Sequence, residues 1–570
     1  MAALSSLLSF LLMIQPQISN GFETEPPKTP IEESTIDDLQ LAFKIKTLTS
    51  RQLVQFYLKK IQTLNGHLRG VLEVNPDALS QADSVDEQHR EWESNPSSRS
   101  RPLPKLHGIP ILLKDNIGTR DKLNTTAGSF ALLGSKVPRD AGVVAKLRSS
   151  GAVILGKGSL SEWLHIRSFS APDGWSARGG QGVNPYNPSL EVCGSSSGPA
   201  ISVSANMVAV ALGTETDSSI FSPSSYNSVV GFKPTVGLTS RAGVIPVSPR
   251  QDTVGPICRT VADSVHVLDA IVGIDSNNIA TNEASQYIPV GGYGQFLRAN
   301  SLKGKRLGMV SRLFSQVKDD QFLNQTFERH FTTLRKQGAV LVELDIANIE
   351  DILDSSSSGE LVAILVEFKM ALNPYLSKLV ESPVRSLRDV IAFNSFGKVS
   401  EYGQHFLEAA EKTNGIGAKE QEILSNLARL SRDGFEKLMK DESLDALVTY
   451  SNSAHLILGV GGFPGIVVPA GYHDTEKYPF GIFFGGLKGS EPKLIEATYA
   501  FEQATKIRKP PPVGSQTKFM SNTANVTPEV ESSKPTFTTS EERPRLATRE
   551  HLKYSPLQEH SQREGLNKAA

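Results

Sequence analysis

One pattern constrains this chain more than any other: a stretch of helical periodicity, a glycine stop, and then a short apolar run. Residues 141–152 read AGVVAKLRSSGA and lead into the run AVILGK. The same order recurs where Leu323 to Leu334 reads as a helix, Gly338 follows, and AVLVELD comes next. Apolar residues at three- and four-residue spacing bury one face of a helix, and a short apolar run bounded by turn residues reads as a buried strand. A chain that alternates the two lays helices on the faces of a sheet. Gly108-IPILLKD-Asn116 adds another such strand, ending in polar residues. Thr49-Ser-Arg-Gln52 is a capping box opening the amphipathic helix LVQFYLKKIQTL, with Leu53, Tyr57 and Ile61 on one face. The expected class is α/β, with no internal repeat of fixed period.

Composition removes several functions. The 570 residues carry 59 Lys+Arg against 60 Asp+Glu, a formal charge of −1, so no global field collects nucleic acid or an anionic membrane. The 2 cysteines cannot build a disulfide framework or a Cys-rich zinc site. At about 150 residues per domain the length gives a prior of about four units, although large α/β enzymes use such lengths in one body.

The ends differ from the middle. Met1-AALSSLLSFLLMI-Gln15 is an apolar stretch shorter than the roughly 20 residues that span a bilayer. It fits the apolar region of a secretory signal peptide over 1–20, although no Lys or Arg precedes it; the bland alternative is a buried or frayed N-terminal segment. A secreted or secretory-pathway location follows from the first reading and a cytoplasmic one from the second. In the secretory case the sequons at Asn124, Asn324 and Asn525 could carry glycans. Residues 21–34 read as a linker. Residues 511–570 are rich in Ser, Thr, Glu, Lys and Pro, with too few apolar side chains to offset their ordering entropy. They read as a disordered tail with one short helix near 547–557.

The chemistry lies in CGSSSGPAISVSANMVAVALGTETDSSIFSP, residues 193–223. The Gly194-SSS-Gly198 loop precedes AISVSANMVAVAL, which reads as one small-residue helix with Pro199 in its first turn. A loop at a helix start presents free N–H groups and the positive end of the dipole to developing negative charge. Gly213-TETDSSI-Phe221 then forms a second serine-bearing turn. A serine nucleophile needs a base. Gly194-Ser-Ser196-Ser-Gly198 matches the G-x-S-x-G elbow formally, with Ser196 as nucleophile, but that elbow follows a strand and Asn184-PYNPSLEV does not read as one. Of the eleven histidines only His455 is a partner for such a serine, and a satisfied structural histidine is the simpler account of it. The other available base is Lys114, at the end of IPILLK, where burial can depress a lysine pKa by about 3–5 units; a lysine that snorkels from the strand end is the alternative.

These residues resemble the amidase signature family. The likeness runs over nearly all of 35–510, through HGIPILLKDN (107–116), GSSSG (194–198), GTETDSSI (213–220), VVGFKPTVGLTSRAGVIP (229–246), DTVGPICRTVADS (252–264), GGFPGIVVPAGY (461–472) and PFGIFFGGLKGSEPKLI (479–495). SFSAPDGWSARGGQG at 168–182 is similar to the plant-type branch. The resemblance implies a single large α/β domain with a mixed central sheet covered by helices, and a Ser-Ser-Lys triad. In it Lys114 matches the base, Ser195 the bridging serine held through a cis peptide bond, and Ser219 the nucleophile. The backbone N–H groups of Thr216, Asp217 and Ser218 match the oxyanion hole, and no metal or organic cofactor is implied. The implied partner is a small-molecule amide; no nucleic acid and no transmembrane helix are expected, and a homo-oligomer is compatible.

The chain departs from the family pattern at several points. Ser218 stands where relatives usually carry Gly, Phe221 where many carry Arg, Pro199 where a small residue is usual, and Glu191-Val192 replaces a more usual Asp-Pro. Beside an amidase, the sequence therefore leaves open a catalytically impaired amidase-like binding protein and, further off, a glutamyl-tRNA amidotransferase-type subunit. Substrate-pocket residues are expected within 160–185 and 355–405, which offer Trp163, Phe169, Trp175, Phe368 and Phe393.

Overall fold

Lys114 owes its position to a strand that is buried along its whole length, Pro110–Lys114, in the middle region of a large mixed sheet. The structure is a computed structural model that describes residues 30–512, apart from 96, 98, 99, 101 and 396–400. The signal-peptide reading, the 513–570 part of the tail, its possible helix and Asn525 lie outside the described residues.

The strands in chain order are β1 (Val71–Val74), β2 (Pro110–Lys114), β3 (Val153–Gly158), β4 (Trp175–Ser176), β5 (Gly180–Gln181), β6 (Val210–Glu215), β7 (Val230–Lys233), β8 (Thr253–Cys258), β9 (Arg306–Val310), β10 (Val340–Leu344), β11 (Ala446–Tyr450), β12 (Gly465–Tyr472) and β13 (Pro479–Gly485). Eleven of them form one sheet in the order β1-β3-β2-β6-β8-β7-β12-β13-β11-β9-β10, and β4 and β5 pair separately. β3, β2 and β6 run parallel, as do β11, β9 and β10, and the pairings across the middle from β6 to β13 and on to β11 are antiparallel. The chain thus folds as one α/β domain on a single mixed sheet, with helices covering it, as the alternating pattern and the resemblance both predict. No helix of the described residues is long and apolar enough to cross a membrane.

Local signals act where they were read. Thr49 and Gln52 close a reciprocal capping box at 3.1 and 3.0 Å, and the helix Ser50–Leu68 buries Leu53, Tyr57 and Ile61. The helix Gly142–Ser149 ends before Gly151 and leads into β3, every residue of which is buried.

Two expectations change. AISVSANMVAVAL is not one helix: the helix Ser197–Ser204 stops, and Val210 begins β6. A continuous run of buried apolar residues cannot be assigned to helix or strand by periodicity. The break falls at Asn206, whose backbone is left-handed (φ 55°) and whose side chain is held by Glu33, at 3.0 Å from the backbone N–H and 2.6 Å from the carboxylate. The second helix–Gly–strand unit also differs from the first. β10 is the last strand of the sheet, and Val340 is 47% exposed, so this strand is an edge and not a buried core element. The body also begins earlier than residue 35, because Ile31 is buried and Glu33 is tied to Asn206 and to Arg508.

Candidate active site

Three side chains from three segments meet in one hydrogen-bonded row. Lys114 Nζ, fully buried at the end of β2, donates to Ser195 Oγ at 2.7 Å and to the Thr214 carbonyl at 3.1 Å. Ser195 Oγ in turn donates to Ser219 Oγ at 2.9 Å. Burial is the largest influence on Lys114 and drives its pKa well below the ordinary lysine value; the charges of Glu215, Asp252 and Asp173 oppose the shift without cancelling it.

The loop that carries Ser195 can lie so deep because of its glycines. The Gly194–Ser195 peptide is cis. A Cβ on Gly194 would sit 2.2 Å from Ser161 Oγ and 2.5 Å from Asp173 Oδ1, and one on Gly198 would sit 2.2 Å from the Ser159 nitrogen, so neither position admits a larger residue. Pro199 is the third residue of its helix, in the first turn where a backbone N–H has no intrahelical acceptor.

The second turn is fixed from below. Glu215 Oε2, at the end of β6, accepts the N–H groups of Ile220 at 2.6 Å and Phe221 at 3.0 Å. Among the described residues, the N–H groups of Thr216, Asp217, Ser218 and Ser219 donate to no protein acceptor, so four consecutive donors are left beside the Ser219 hydroxyl. Ser218 has a left-handed backbone (φ 69°), a conformation that costs a non-glycine residue on the order of 1 kcal/mol. Asn452 Nδ2 donates to Ser218 Oγ at 3.0 Å, and the hydroxyls of Ser218 and Ser222 share a hydrogen bond. These bonds offset the backbone cost and hold the turn. Phe221 is fully buried edge-on against Phe483, with ring centroids 4.6 Å apart, in an apolar cluster that offers no place for a charge. Burial, aided by the neighbouring Glu215 carboxylate, pushes the Asp217 carboxyl up to about 7.

The histidine alternative does not assemble. Ser196 Oγ is buried and spent on Thr214, donating to its carbonyl at 3.1 Å and accepting its N–H at 3.3 Å. No strand leads directly into the loop: residues 182–193, all described, contain none. His455 lies on the far side of the second turn, with Nδ1 2.8 Å from the Asn452 carbonyl oxygen and Nε2 3.6 Å from Asp217 Oδ1. The sequence reading missed the residues that brace the site, namely Asn116, Glu215, Asp252, Ser222 and Asn452. Asn116 stood within the quoted IPILLKDN motif, and its Nδ2 donates to Thr214 Oγ1 at 3.1 Å, fixing the residue whose carbonyl accepts from Lys114.

The aromatic candidates do converge. Residues from 160–166 and from 364–410 share one apolar cluster. In it Trp163 and Phe368 are fully buried, and Phe169 and Phe393 pack at its margin. Phe169 lies against Phe406, and Trp175 against Tyr402 with the Arg167 guanidinium 5.2 Å from its ring centre. Cys193 and Cys258 are both free thiols. Asn124 is half-buried, with Nδ2 donating to the Glu73 carboxylate at 3.0 and 3.1 Å, so its amide nitrogen is engaged within the fold. Asn324 is exposed on the helix Gln321–Lys336.

The chain is similar to known proteins over most of its length. The family model described as Amidase matches residues 52–458. A probable amidase of Arabidopsis thaliana is 59% identical over 486 residues, covering 84% of this chain and 92% of that protein. A putative amidase of Schizosaccharomyces pombe is 36% identical over 524 residues, covering 84% of this chain and 87% of that protein. The crystal structure of native peptide amidase from Stenotrophomonas maltophilia aligns with a TM-score of 0.77 at 40% identity, covering 85% of this chain and 99% of that one.

Proposed function

The chain belongs to the amidase family and is an amide-bond hydrolase, and from that premise we propose that it works through an acyl-enzyme on Ser219, with Ser195 as proton relay and neutral Lys114 as base. The observation that carries this reading is the unbroken row from Lys114 Nζ to Ser195 Oγ (2.7 Å) to Ser219 Oγ (2.9 Å). A lysine whose burial favours the neutral amine can accept a proton near neutral pH. As Ser195 passes its proton to Lys114, the 2.9 Å contact carries the Ser219 proton to Ser195, and Ser219 Oγ attacks the amide carbonyl. The oxyanion forms against the N–H groups of Thr216, Asp217 and Ser218, which have no protein acceptor to give up. Ser195 then gives its proton to the departing amine as the C–N bond breaks and takes one back from Lys114; water, deprotonated along the same row, attacks the acyl carbonyl, and the proton returns through Ser195 to Ser219 Oγ as the acid leaves.

The impaired-binder alternative draws on Ser218. Its left-handed backbone weakens that alternative less than glycine would, but the bonds from Asn452 and Ser222 keep the donors of the turn in place, which favours a working enzyme. A fluorophosphonate probe tests the reading: the expected result is labelling at Ser219, lost in Ser219→Ala and in Lys114→Ala. A folded wild-type protein that takes up no label would overturn it in favour of a binding protein.

A further inference from the structure

A cavity of about 350 Å³, within the range of small-molecule sites, has in its wall Asp252, the residue that holds Thr216 of the oxyanion turn. Its walls come from the loop at 137–139, the segment 241–252 and the end of the helix Glu360–Ser377. Three cations line it, Arg139, Arg241 and Lys378, and among the described residues none of them has a carboxylate within ion-pair distance. The protein hydrogen bonds of the two arginines go to carbonyls: Arg139 Nη1 donates to Asp140 O at 3.3 Å, and Arg241 Nη1 to Pro249 O. The one lining carboxylate, Asp252, attracts Arg241 through its charge, but its hydrogen bonds go elsewhere. Its Oδ1 accepts Thr216 Oγ1 at 2.5 Å, and its Oδ2 accepts the N–H groups of Val247 at 2.8 Å and Ser248 at 3.1 Å.

The wall therefore has more donors than acceptors. Arg241 Nε and Asn278 Nδ2 are buried donors with no acceptor among the described residues, a state that costs free energy unless something fills it. An anion with several acceptor oxygens is the ligand that supplies both charge and acceptors, and a guanidinium fork suits a carboxylate.

The cavity also approaches the residues that brace the site. A smaller void of about 30 Å³ shares Arg241, Val244, Pro246 and Asp252 with it and extends to Asn116 and Thr214. Thr214 O is the carbonyl that accepts from Lys114, and Asp252 holds Thr216 of the oxyanion turn. An acidic group among the cations thus stands close to the residues that hold Lys114 and the oxyanion turn.

We propose that this cavity binds an ionised carboxylate carried by the substrate, so that the enzyme prefers amides bearing an acidic group. The inference rests on the amidase reading for its catalytic consequence, and on the cavity alone for the binding itself. The chemistry admits a carboxylate on the acyl side or on the amine side, and two substrate series distinguish them. One compares adipic acid monoamide and its longer and shorter homologues with neutral n-alkanamides of equal length. The other compares N-acetyl ω-amino acids with N-acetyl alkylamines. The expected result is one series in which the acidic member has kcat/KM at least tenfold above its neutral partner. That advantage should shrink at high ionic strength and fall at least tenfold in Arg139→Gln/Arg241→Gln. Neutral amides preferred at every length, or a preference unchanged in the double variant, would overturn the proposal. Should no amide turn over, the amidase reading fails first, and calorimetric titration of adipate into Ser219→Ala protein decides the cavity. Binding weakened at least tenfold by Arg241→Gln, with the thermal midpoint retained, supports it; no binding, or binding indifferent to Arg241, overturns it. Lys378→Gln, an exposed change, repeats the test where the double variant fails to fold.

Discussion

Two buried lysines stand side by side in the sheet and do different work. Lys114 ends β2 and Lys157 lies on β3, with Lys157 paired in register to Leu113, and both are fully buried. Lys157 Nζ donates to the Ile117 carbonyl at 2.6 Å and Thr125 Oγ1 at 2.8 Å, and the Asp115 carboxylate is the strongest charge supporting its protonated form. Burial still lowers it, but only to about 8. Lys114 has a serine hydroxyl and a carbonyl as partners, and burial carries it further. The comparison teaches that burial alone does not make a base. What separates them is where the proton can go: Lys157 faces groups that keep a cation, and Lys114 faces a hydroxyl that leads to Ser219.

Lys114→Ala should show the largest effect, a loss of about ten-thousand-fold in kcat measured on any amide the enzyme turns over, because it removes the general base and leaves the oxyanion turn. Ser219→Ala should remove the burst of acyl-enzyme altogether. The matching change at the neighbour should act on stability. Lys157→Met removes the larger of the two charges that support the Asp115 carboxylate, leaving Arg178 at 3.7 Å, and should cost about 3 kcal/mol by chemical denaturation, while kcat per folded molecule stays within the same order as the wild type. A loss of turnover in folded Lys157→Met equal to that of Lys114→Ala would break the comparison.

The same pair shows what the sequence could and could not disclose. IPILLK and AVILGK are the same phrase, an apolar run ending in lysine, and nothing in either run says which amine meets a serine. The Asp-Asn that follows Lys114 and the family pattern carried that choice. The difference itself is tertiary: Ser195 is 81 residues from Lys114, and Ser219 another 24 beyond Ser195. The sheet and the helix–Gly–strand unit at 141–158 were legible because helix and strand periods differ within it. The split of 200–212 was not, since every residue there except Asn206, where the break falls, is apolar or small and both periods fit. The edge position of β10 was equally hidden, because it depends on β9 taking β11, from more than a hundred residues further on, as its other neighbour. Asn452, which braces the oxyanion turn, carries no local signature, and Asp252 opens a quoted motif that does not say what it holds.

pH should divide the lysines in a more moderate way. Lys157 and Lys233 are both lowered by burial to about 8, from an ordinary value of 10.5. Between those values the unfolded chain binds more protons than the folded one, so stability rises with pH from about 8 towards 10.5 and is flat above it. Lys157→Met should reduce that slope in equilibrium unfolding measured across the window. The Lys114 contribution has the same sign but begins lower, so kcat/KM should already sit on its plateau in the range where stability is still climbing. An activity that climbs together with stability would place the base on an ordinary buried lysine.

The smallest effect belongs to the end of the proton row. Ser218 holds a left-handed turn through its hydroxyl, so its two simplest replacements separate backbone from side chain. Ser218→Gly loses the bonds to Asn452 and Ser222, worth about 0.5–1.5 kcal/mol each, but gains back about 1 kcal/mol of backbone freedom to adopt this φ. Ser218→Ala loses the bonds and keeps the strain. Thermal denaturation should therefore place Ser218→Gly about 0–2 kcal/mol below wild type, and Ser218→Ala about 1 kcal/mol below Ser218→Gly. Turnover should follow the same order, since the donors of Thr216, Asp217 and Ser218 are aimed by this one residue. A Ser218→Ala protein as stable and as fast as Ser218→Gly would mean that Glu215, holding Ile220 and Phe221 from below, fixes the turn without help from the hydroxyl.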